Sequence, residues 1–302
     1  MEAQEFLCLR RIITALPHPR RARVRFSDKN ILLVYVWAVL HDRPVYWACD
    51  VRNWPDAWAM ILPDDSTMSR RMRSVSVLQL LDRLHQAICG LFALATMVKH
   101  VDSFPFPVGS YSHDIDTRRG RCTREMARGY KLHAACVDRV IAVWTLMPMS
   151  VNDQVAAPQL FARLRGVGYI TADNGYDANA THLAASSCQH QLLAPPRNCN
   201  SDRRVRDLKQ QRQRNCRQRL QALDMLDSPL RHAGAANLFG RTVHRQRLEM
   251  EQTLGQLRLL CLGTLPTWVR RPHRVAPWLA VKIILLNLRS ARRRGKIKSL
   301  VA

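Results

Sequence analysis

The 302-residue sequence lacks the features of several common classes of protein. Its longest apolar stretches, Ile31 to Leu40 and Ala87 to Val98, are shorter than the roughly 18 residues that a membrane span needs. No two of its nine cysteines have the Cys-x-x-Cys spacing, which argues against a zinc knuckle or a disulfide scaffold and favours reduced thiols. The segment Met1 to Glu5 is acidic where a secretory signal would be basic. We therefore expect a cytoplasmic protein that does not associate with a membrane.

Acidic residues are scarce. The chain has 23 Asp and Glu against 47 Lys and Arg, a formal net charge of +24, while 47% hydrophobic residues are enough for a folded core. Residues 200–302 alone carry 23 basic and 6 acidic side chains. Such a concentration of positive charge favours a polyanionic partner, above all nucleic acid. It fits a non-enzymatic protein that coats RNA or DNA as well as an enzyme.

Residues 1–95 are predicted to form a helical domain. Ile31 to Leu40 is apolar on nearly all sides and predicts a buried helix. A short helix after Asp64 and a longer one from about Val75 follow, joined by a tight turn. Such a pair can present its first helix to DNA, and a solvated basic face explains the pattern equally well. The candidate DNA contacts of the short helix are Arg70, Arg71 and Arg73.

Residues 96–290 are predicted to form a mixed α/β sheet, because strand-like segments come first and then alternate with helices. The predicted strands are Met97–Val101, Gly129–Val137, Val140–Met147, Tyr169–Ala172 and Gln191–Ala194. A basic stretch at about 197–240 resembles an insertion in this domain. Helices at about 243–262 and 276–288 follow it, and residues 291–302 form a basic tail.

Two aspartates follow predicted strands at the points where loops begin. Asp102 comes after the first strand, and Asp173 comes after the strand Tyr169–Ala172. Ligands of open α/β sheets bind beyond strand ends, so the two carboxylates could share one site. Each aspartate taken alone is also explained as a cap of a turn.

The helix predicted at about 243–262 adds a third acid. At about 100° per residue, His244, Arg247 and Arg258 lie within roughly 40° of Glu251 on one stripe of this helix. Glu249 is a rival acid, but it lies about 160° around the helix from Glu251, away from the arginines. A surface ladder of charges would give the same spacing.

Three carboxylates that meet repel one another unless a cation lies between them. Oxygen ligands from Asp and Glu suit Mg²⁺ or Mn²⁺. Two such ions, roughly 3.5–4 Å apart, would stabilise the attacking and leaving oxygens of a phosphoryl displacement. Nearby arginines would hold the phosphodiester, so the pattern favours nuclease or strand-transfer chemistry.

Several segments together resemble a known family. The chain is similar to the DDE transposases of bacterial insertion sequences, in the group marked by Tyr-x2-Arg-x3-Glu-x6-Lys. The resemblance runs from about residue 64 to residue 290, and His244 and Arg258 replace the Tyr and Lys of the signature. The matching segments are Val101-Asp102-Ser103-Phe104-Pro105, Arg128-Gly129-Tyr130-Lys131-Leu132-His133, Ala172-Asp173-Asn174-Gly175-Tyr176-Asp177 and His244-x2-Arg247-x3-Glu251-x6-Arg258.

The resemblance implies a ribonuclease-H-like mixed sheet flanked by helices, preceded by the helical domain. It implies cleavage of DNA at transposon ends with two Mg²⁺ (or Mn²⁺) ions, followed by transfer of the 3′-hydroxyl into target DNA. The partners would be double-stranded terminal inverted repeats, target DNA and a second copy in a synaptic homodimer, at the bacterial nucleoid. The catalytic metal ligands would be Asp102, Asp173 and Glu251, and the DNA contacts His244, Arg247, Arg258 and Lys131.

Other functions remain open at this point. A degenerate or domesticated copy would bind DNA without cutting it. A coating protein would explain the basic last third and make the acids incidental, and a stand-alone metal nuclease would need neither end binding nor strand transfer.

Overall fold

The computed structural model describes residues 2–19, 24–58, 61–109, 112–122, 125–194 and 238–297, with the backbone alone for 238–246. The chain forms two compact units: Met1–Phe92 with Tyr111–Asp116 and Leu259–Ala302, and Ala93–Ser110 with Thr117–Arg258. The C-terminal helix therefore groups with the N-terminal helices, whereas the sequence pattern placed it with the sheet. Most of the basic stretch predicted as an insertion, and the end of the basic tail, lie outside the described residues.

The described helices and strands are as follows. The helices are α1 (Glu2–Ala15), α2 (Asp28–Leu40), α3 (Val45–Ala48), α4 (Asp65–Arg71), α5 (Val75–Cys89), α6 (Asp153–Phe161), α7 (Asn179–Ser187), α8 (Leu238–Leu260) and α9 (Pro272–Arg293). The strands are β1 (Val98–Pro107), β2 (Arg118–Cys122), β3 (Glu125–Val137), β4 (Val140–Pro148), β5 (Gly168–Thr171) and β6 (His190–Leu193). Short 3-10 turns occupy Val51–Asn53, Asp56–Trp58 and Asn174–Tyr176. No helix in these described ranges is both long and apolar enough to cross a membrane.

The first unit is built around two helices that are buried on all sides. In α2, every residue from Ile31 to Leu40 is buried, as the apolar run predicted, and the side chain of Ser27 caps the helix. In α9, every residue from Pro277 to Leu288 is buried, including Lys282, whose Nζ lies 2.6 Å from Asp42. A helix without a polar face has to lie in the interior, which explains why α9 packs with α2 and α5.

The second unit contains the sheet, which is mixed as predicted. Its strand order is β2-β3-β1-β5-β6, and β4 also pairs with β3. The pairs β1–β3, β2–β3 and β3–β4 are antiparallel, and β1–β5 and β5–β6 are parallel. β2 and β4 pair with successive parts of β3 on the edge opposite β1, so the strands also run in the order β4-β3-β1-β5-β6.

Strand β1 is longer than predicted. The sequence pattern ended it before Asp102 because Pro105 and Pro107 follow, but the strand continues to Pro107. The N–H of Val108 donates to the Arg128 carbonyl at 2.9 Å, and hydrogen-bonded pairs alternate along an antiparallel ladder. The nitrogens of both prolines therefore face away from β3, towards an edge that β5 pairs with only over Val98–His100. Asp102 consequently lies within the strand and not at its tip.

The apolar core of the second unit lies on one face of the sheet. Val101, Ala135 and Val143 face α6 and pack with Leu160 and Phe161 of that helix. Alternate residues of a strand point to opposite faces, so Asp102 and its partner Ala134 face the other side. In α8 the predicted apolar face is confirmed for its described residues, since Met250, Leu254 and Leu257 are buried.

Candidate functional site

Asp102 is a half-buried carboxylate on the sheet. It pairs across the ladder with Ala134, and its Oδ1 accepts a hydrogen bond from the Ser103 N–H at 2.7 Å. Burial raises the pKa of Asp102 to about 6, and the negative charges of Asp173 and Asp153 add to the rise. Its carboxylate therefore lies close to other acids in a poorly solvated place.

Asp173 follows β5 and reaches the same region. Its Oδ1 accepts a hydrogen bond from the Gly175 N–H at 2.9 Å, so it caps the 3-10 turn Asn174–Tyr176. Burial, then the charge of Asp153, raises the pKa of this carboxyl. The capping hydrogen bond uses only one lone pair of one oxygen, so Asp173 can cap the turn and still interact with Asp102.

Asp153 is a further acid of this region, on the face of the sheet that α6 covers, and the sequence pattern showed it only as the start of a helix. It lies in the first turn of α6, and its Oδ1 is 3.2 Å from His133 Nδ1 and 3.5 Å from Lys131 Nζ. Burial alone would raise its pKa, but contacts with His133, Ser103 and Lys131 lower it below the ordinary value. Asp153 is therefore the member of the group that stays ionised most readily.

The loop after β5 leaves room between two of these acids. A Cβ added to Gly175 would lie 3.0 Å from Asp153 Oδ2 and 3.0 Å from Asp173 Oδ1. The two oxygens therefore lie beside the Gly175 Cα, where glycine carries only a hydrogen atom in place of a side chain. A side chain here would have to displace both carboxylates.

Arg247 supplies positive charge beside the aspartates. Its Nη1 donates to the Ala172 carbonyl at 3.4 Å, next to Asp173 in the chain. The guanidinium lowers the pKa of Asp102 and of Asp173 and so offsets part of the rise that burial causes. Arg247, one member of the stripe predicted on the late helix, thus lies next to the end of β5.

The predicted third acid, Glu251, lies on α8, four residues after Arg247. Glu251 and Arg258 are both exposed on α8. The rival Glu249 accepts a hydrogen bond from Arg139 at 2.6 Å, which engages it elsewhere. The side chain of His244 lies outside the described residues.

Tyr176 is a further residue of the group that the sequence pattern did not identify. It is fully buried, and its hydroxyl has no hydrogen-bond partner among the residues that the structure describes. Burial, followed by the charges of Asp153, Asp102 and Asp173, raises its pKa well above the ordinary value.

The arginines predicted to contact DNA in the first unit differ in their surroundings. Arg71 donates to the Phe26 carbonyl at 3.0 Å and forms an ion pair with Asp28, so this guanidinium holds helices together. Arg70 and Arg73 are exposed. Lys131, predicted as a DNA contact of the second unit, is instead mostly buried beside Asp153.

The donor set can be compared with what a divalent cation needs. Within the described residues, no group of three or more His, Cys, Asp and Glu side chains lies close enough to hold a metal ion as the structure stands. Oxygens of Asp153 and Asp173 nevertheless lie close to each other, since both are 3.0 Å from the position of a Cβ added to Gly175. Oxygen donors of this kind suit a hard cation such as Mg²⁺.

Comparisons with known proteins give one distant likeness. No protein-family model matches the chain, and no curated protein matches it. A solved structure, the piggyBac transposase synaptic complex with hairpin DNA, is similar with a TM-score of 0.44 and 11% sequence identity. That likeness covers 98% of this chain and 79% of the other.

Proposed function

We propose that the chain is a DDE-type DNA transposase with a ribonuclease-H-like catalytic sheet. The observation that carries the proposal is that Asp102 and Asp173, 71 positions apart, each come two residues after the parallel pair of His100 and Thr171, while Arg247 contacts the Ala172 carbonyl. A mixed sheet that is antiparallel over β4-β3-β1 and parallel over β1-β5-β6 supports the proposal. The resemblance of the surrounding segments to the insertion-sequence transposases supports the same conclusion.

In this function Asp102 and Asp173 would hold Mg²⁺ or Mn²⁺. The ions would supply Lewis acidity, activating the attacking oxygen and stabilising the leaving one. Arg247 would bind a phosphate oxygen of the DNA, and its contact with the Ala172 carbonyl, next to Asp173, supports this role. Burial around Asp102 strengthens these interactions by excluding water.

The third ligand is proposed from the resemblance as Glu251. The exposed position of Glu251 makes Asp153 the alternative, since Asp153 is coupled to both aspartates. The two assignments predict different mutants. Loss of activity on removing Glu251 alone supports the DDE arrangement, and loss on removing Asp153 alone supports a three-aspartate site.

The partners follow from the same proposal. They are double-stranded DNA bearing terminal inverted repeats, target DNA and a second copy of the chain in the synaptic complex. His244, Arg258, Arg70 and Arg73 remain proposed DNA contacts. The net charge of +24 supports a polyanionic partner of this kind.

A second function is favoured by one observation. Because Glu251 is exposed and no three-carboxylate metal group occurs within the described residues, a degenerate copy that binds DNA without cutting it fits the geometry too. Such a protein would keep the basic surfaces and lose metal-dependent cleavage.

The test is cleavage and strand transfer with Mg²⁺ on DNA that carries the inverted repeats flanking the gene. We expect Asp102→Ala, Asp173→Ala and Glu251→Ala each to reduce the rate by at least about 100-fold, since a metal supplies several kcal/mol to the transition state. Asp82→Ala, at an exposed position of α5, is the control and should retain activity. Activity surviving in all three variants refutes the site, and wild-type binding without cleavage supports the degenerate copy.

A further inference from the structure

A cavity of about 260 Å³ opens in the first unit. It lies between α2, the segment after α2, α4, the segment before α9, and the start of α9. Ligand pockets in proteins commonly enclose roughly 300–1,000 Å³, so this one suits a single small ring system. None of the aspartates of the candidate site lines it.

Four large aromatic side chains line the cavity, together with aliphatic ones. Tyr35 and Trp278 are buried and form part of its lining, while Tyr46 and Trp268 also line it but are 66% and 40% exposed. The rings of Tyr46 and Trp268 are therefore accessible to a ligand. Their π-faces offer stacking surfaces for a flat ring.

The lining is also positively charged. Arg43, Arg73 and Arg274 line the cavity and are exposed, and Asp65 is the acid among the lining residues. Burial lowers the pKa of His273, and the charges of Arg274 and Arg73 lower it further, so these guanidinium groups lie near one another. Arg73 is held in place by a hydrogen bond from its Nε to the Ser69 carbonyl at 3.0 Å.

We propose that this cavity binds one unpaired nucleotide of a DNA strand. The base would stack on Trp268 and Tyr46, and the flanking phosphates would bind Arg43, Arg73 and Arg274. An aromatic wall beside several guanidinium groups matches both halves of a nucleotide, whereas an acidic peptide would match only the charges. The inference concerns DNA binding by the first unit and does not depend on catalysis by the aspartates.

The probes are two single strands of equal length, decathymidine and a strand whose central residues lack their bases. Both carry the same phosphates, so the basic surfaces of the full-length protein contribute equally to binding of each. We expect the wild type to bind decathymidine roughly 10-fold more tightly, with quenching of tryptophan fluorescence, because stacking stabilises each bound base. Asp82→Asn, at an exposed position of α5 outside the cavity, is a control and should bind both strands as the wild type does.

Three variants complete the test. Trp268→Ala should lose the preference for decathymidine and keep its affinity for the abasic strand, and Trp268→Phe should retain part of the preference. Arg274→Gln should weaken binding of both strands more than Arg10→Gln, a control at an exposed position of α1. Thermal melting of each variant checks that it is folded.

Other results overturn the proposal. Equal binding of the two strands by the wild type, or an equal loss for both strands in Trp268→Ala, would show that no base enters the cavity. Displacement of decathymidine by a poly-glutamate peptide at a similar concentration would assign the surface to another occupant.

Discussion

At the scale of single residues, Asp28 shows how a buried charge is held in the first unit. The carboxylate is 4% exposed and contacts His18 Nε2 at 2.7 Å, together with the Ser76 hydroxyl and the Arg71 guanidinium. Burial alone would raise its pKa, but these hydrogen bonds lower it to about 2 from an ordinary value of 3.8. Since α1, α2, α4 and α5 meet near this group, its ionised form stabilises their packing.

The lowered pKa predicts a pH dependence of stability. The ionised form of Asp28 contributes fully above pH 4, and the contribution is lost as the pH falls towards about 2. We expect Asp28→Asn to lower the free energy of unfolding at pH 7 by about 2 kcal/mol and to flatten its decrease between pH 4 and pH 2. Urea denaturation at several pH values measures this. Asp82→Asn, at an exposed position of α5, is the control and should change the free energy of unfolding little. An Asp28→Asn protein as stable as the wild type at pH 7 would contradict the prediction.

Single residues also show which parts of the candidate site local sequence could predict. Asp102 and Asp173 were identified because each follows a strand, and the structure couples them electrostatically. Asp153 was not identified, since an acid in the first turn of a helix is the ordinary pattern of a helix start. Its partners His133 and Lys131 lie on β3, and only the folded sheet brings them to it.

At the scale of secondary-structure elements, two segments depended on tertiary contacts. β2 has the sequence Arg-Arg-Gly-Arg-Cys, without apolar alternation, and it is a strand because it pairs with Glu125–Gly129 of β3. β1 passes through two prolines because their nitrogens face an edge that forms no ladder there. By contrast, α8 was predicted from its spacing alone, because one buried face at helical period is a local signal.

The loop after β5 allows a matched comparison of two glycines. In Gly175→Ala the new Cβ would contact carboxylate oxygens of Asp153 and Asp173, so we expect at least a 10-fold loss of Mg²⁺-dependent activity with little loss of global stability. Gly255, exposed on α8 with nothing within 4 Å of an added Cβ, is the control. Gly255→Ala should retain activity and raise the free energy of unfolding by up to about 1 kcal/mol, the difference in helix propensity. Activity assays and denaturation curves measure the two effects. Equal activity and equal stability of the two variants would contradict the prediction.

At the scale of the whole molecule, positive charge is the dominant property. Residues 200–302 carry 23 of the 47 basic side chains, and many of them fall in segments outside the described residues. The charge favours a polyanionic partner but does not give the geometry of its contacts. The fold gives the positions of arginines only for the described residues, such as the three that line the cavity of the first unit.

The charge predicts a steep salt dependence of DNA binding. Each neutralised phosphate releases a counterion, so a protein with 6–10 phosphate contacts loses roughly 10³–10⁵-fold in affinity between 50 and 200 mM salt. We expect fluorescence anisotropy to show a decrease of this size for the wild type. Substituting glutamine for Arg203, Arg204, Arg206 and Arg212 should reduce the slope, and a slope unchanged by these substitutions would remove the basic stretch from the DNA surface.

Local pattern was sufficient for the buried helix α2, for most strands and for the apolar face of α8, because each depends on the periodicity of a continuous segment. The grouping of α9 with the N-terminal helices and the contacts of Asp153 with His133 and Lys131 depended on the fold. These features join residues far apart in the chain, and their free energy comes from burial and from charges that interact only after the segments have packed.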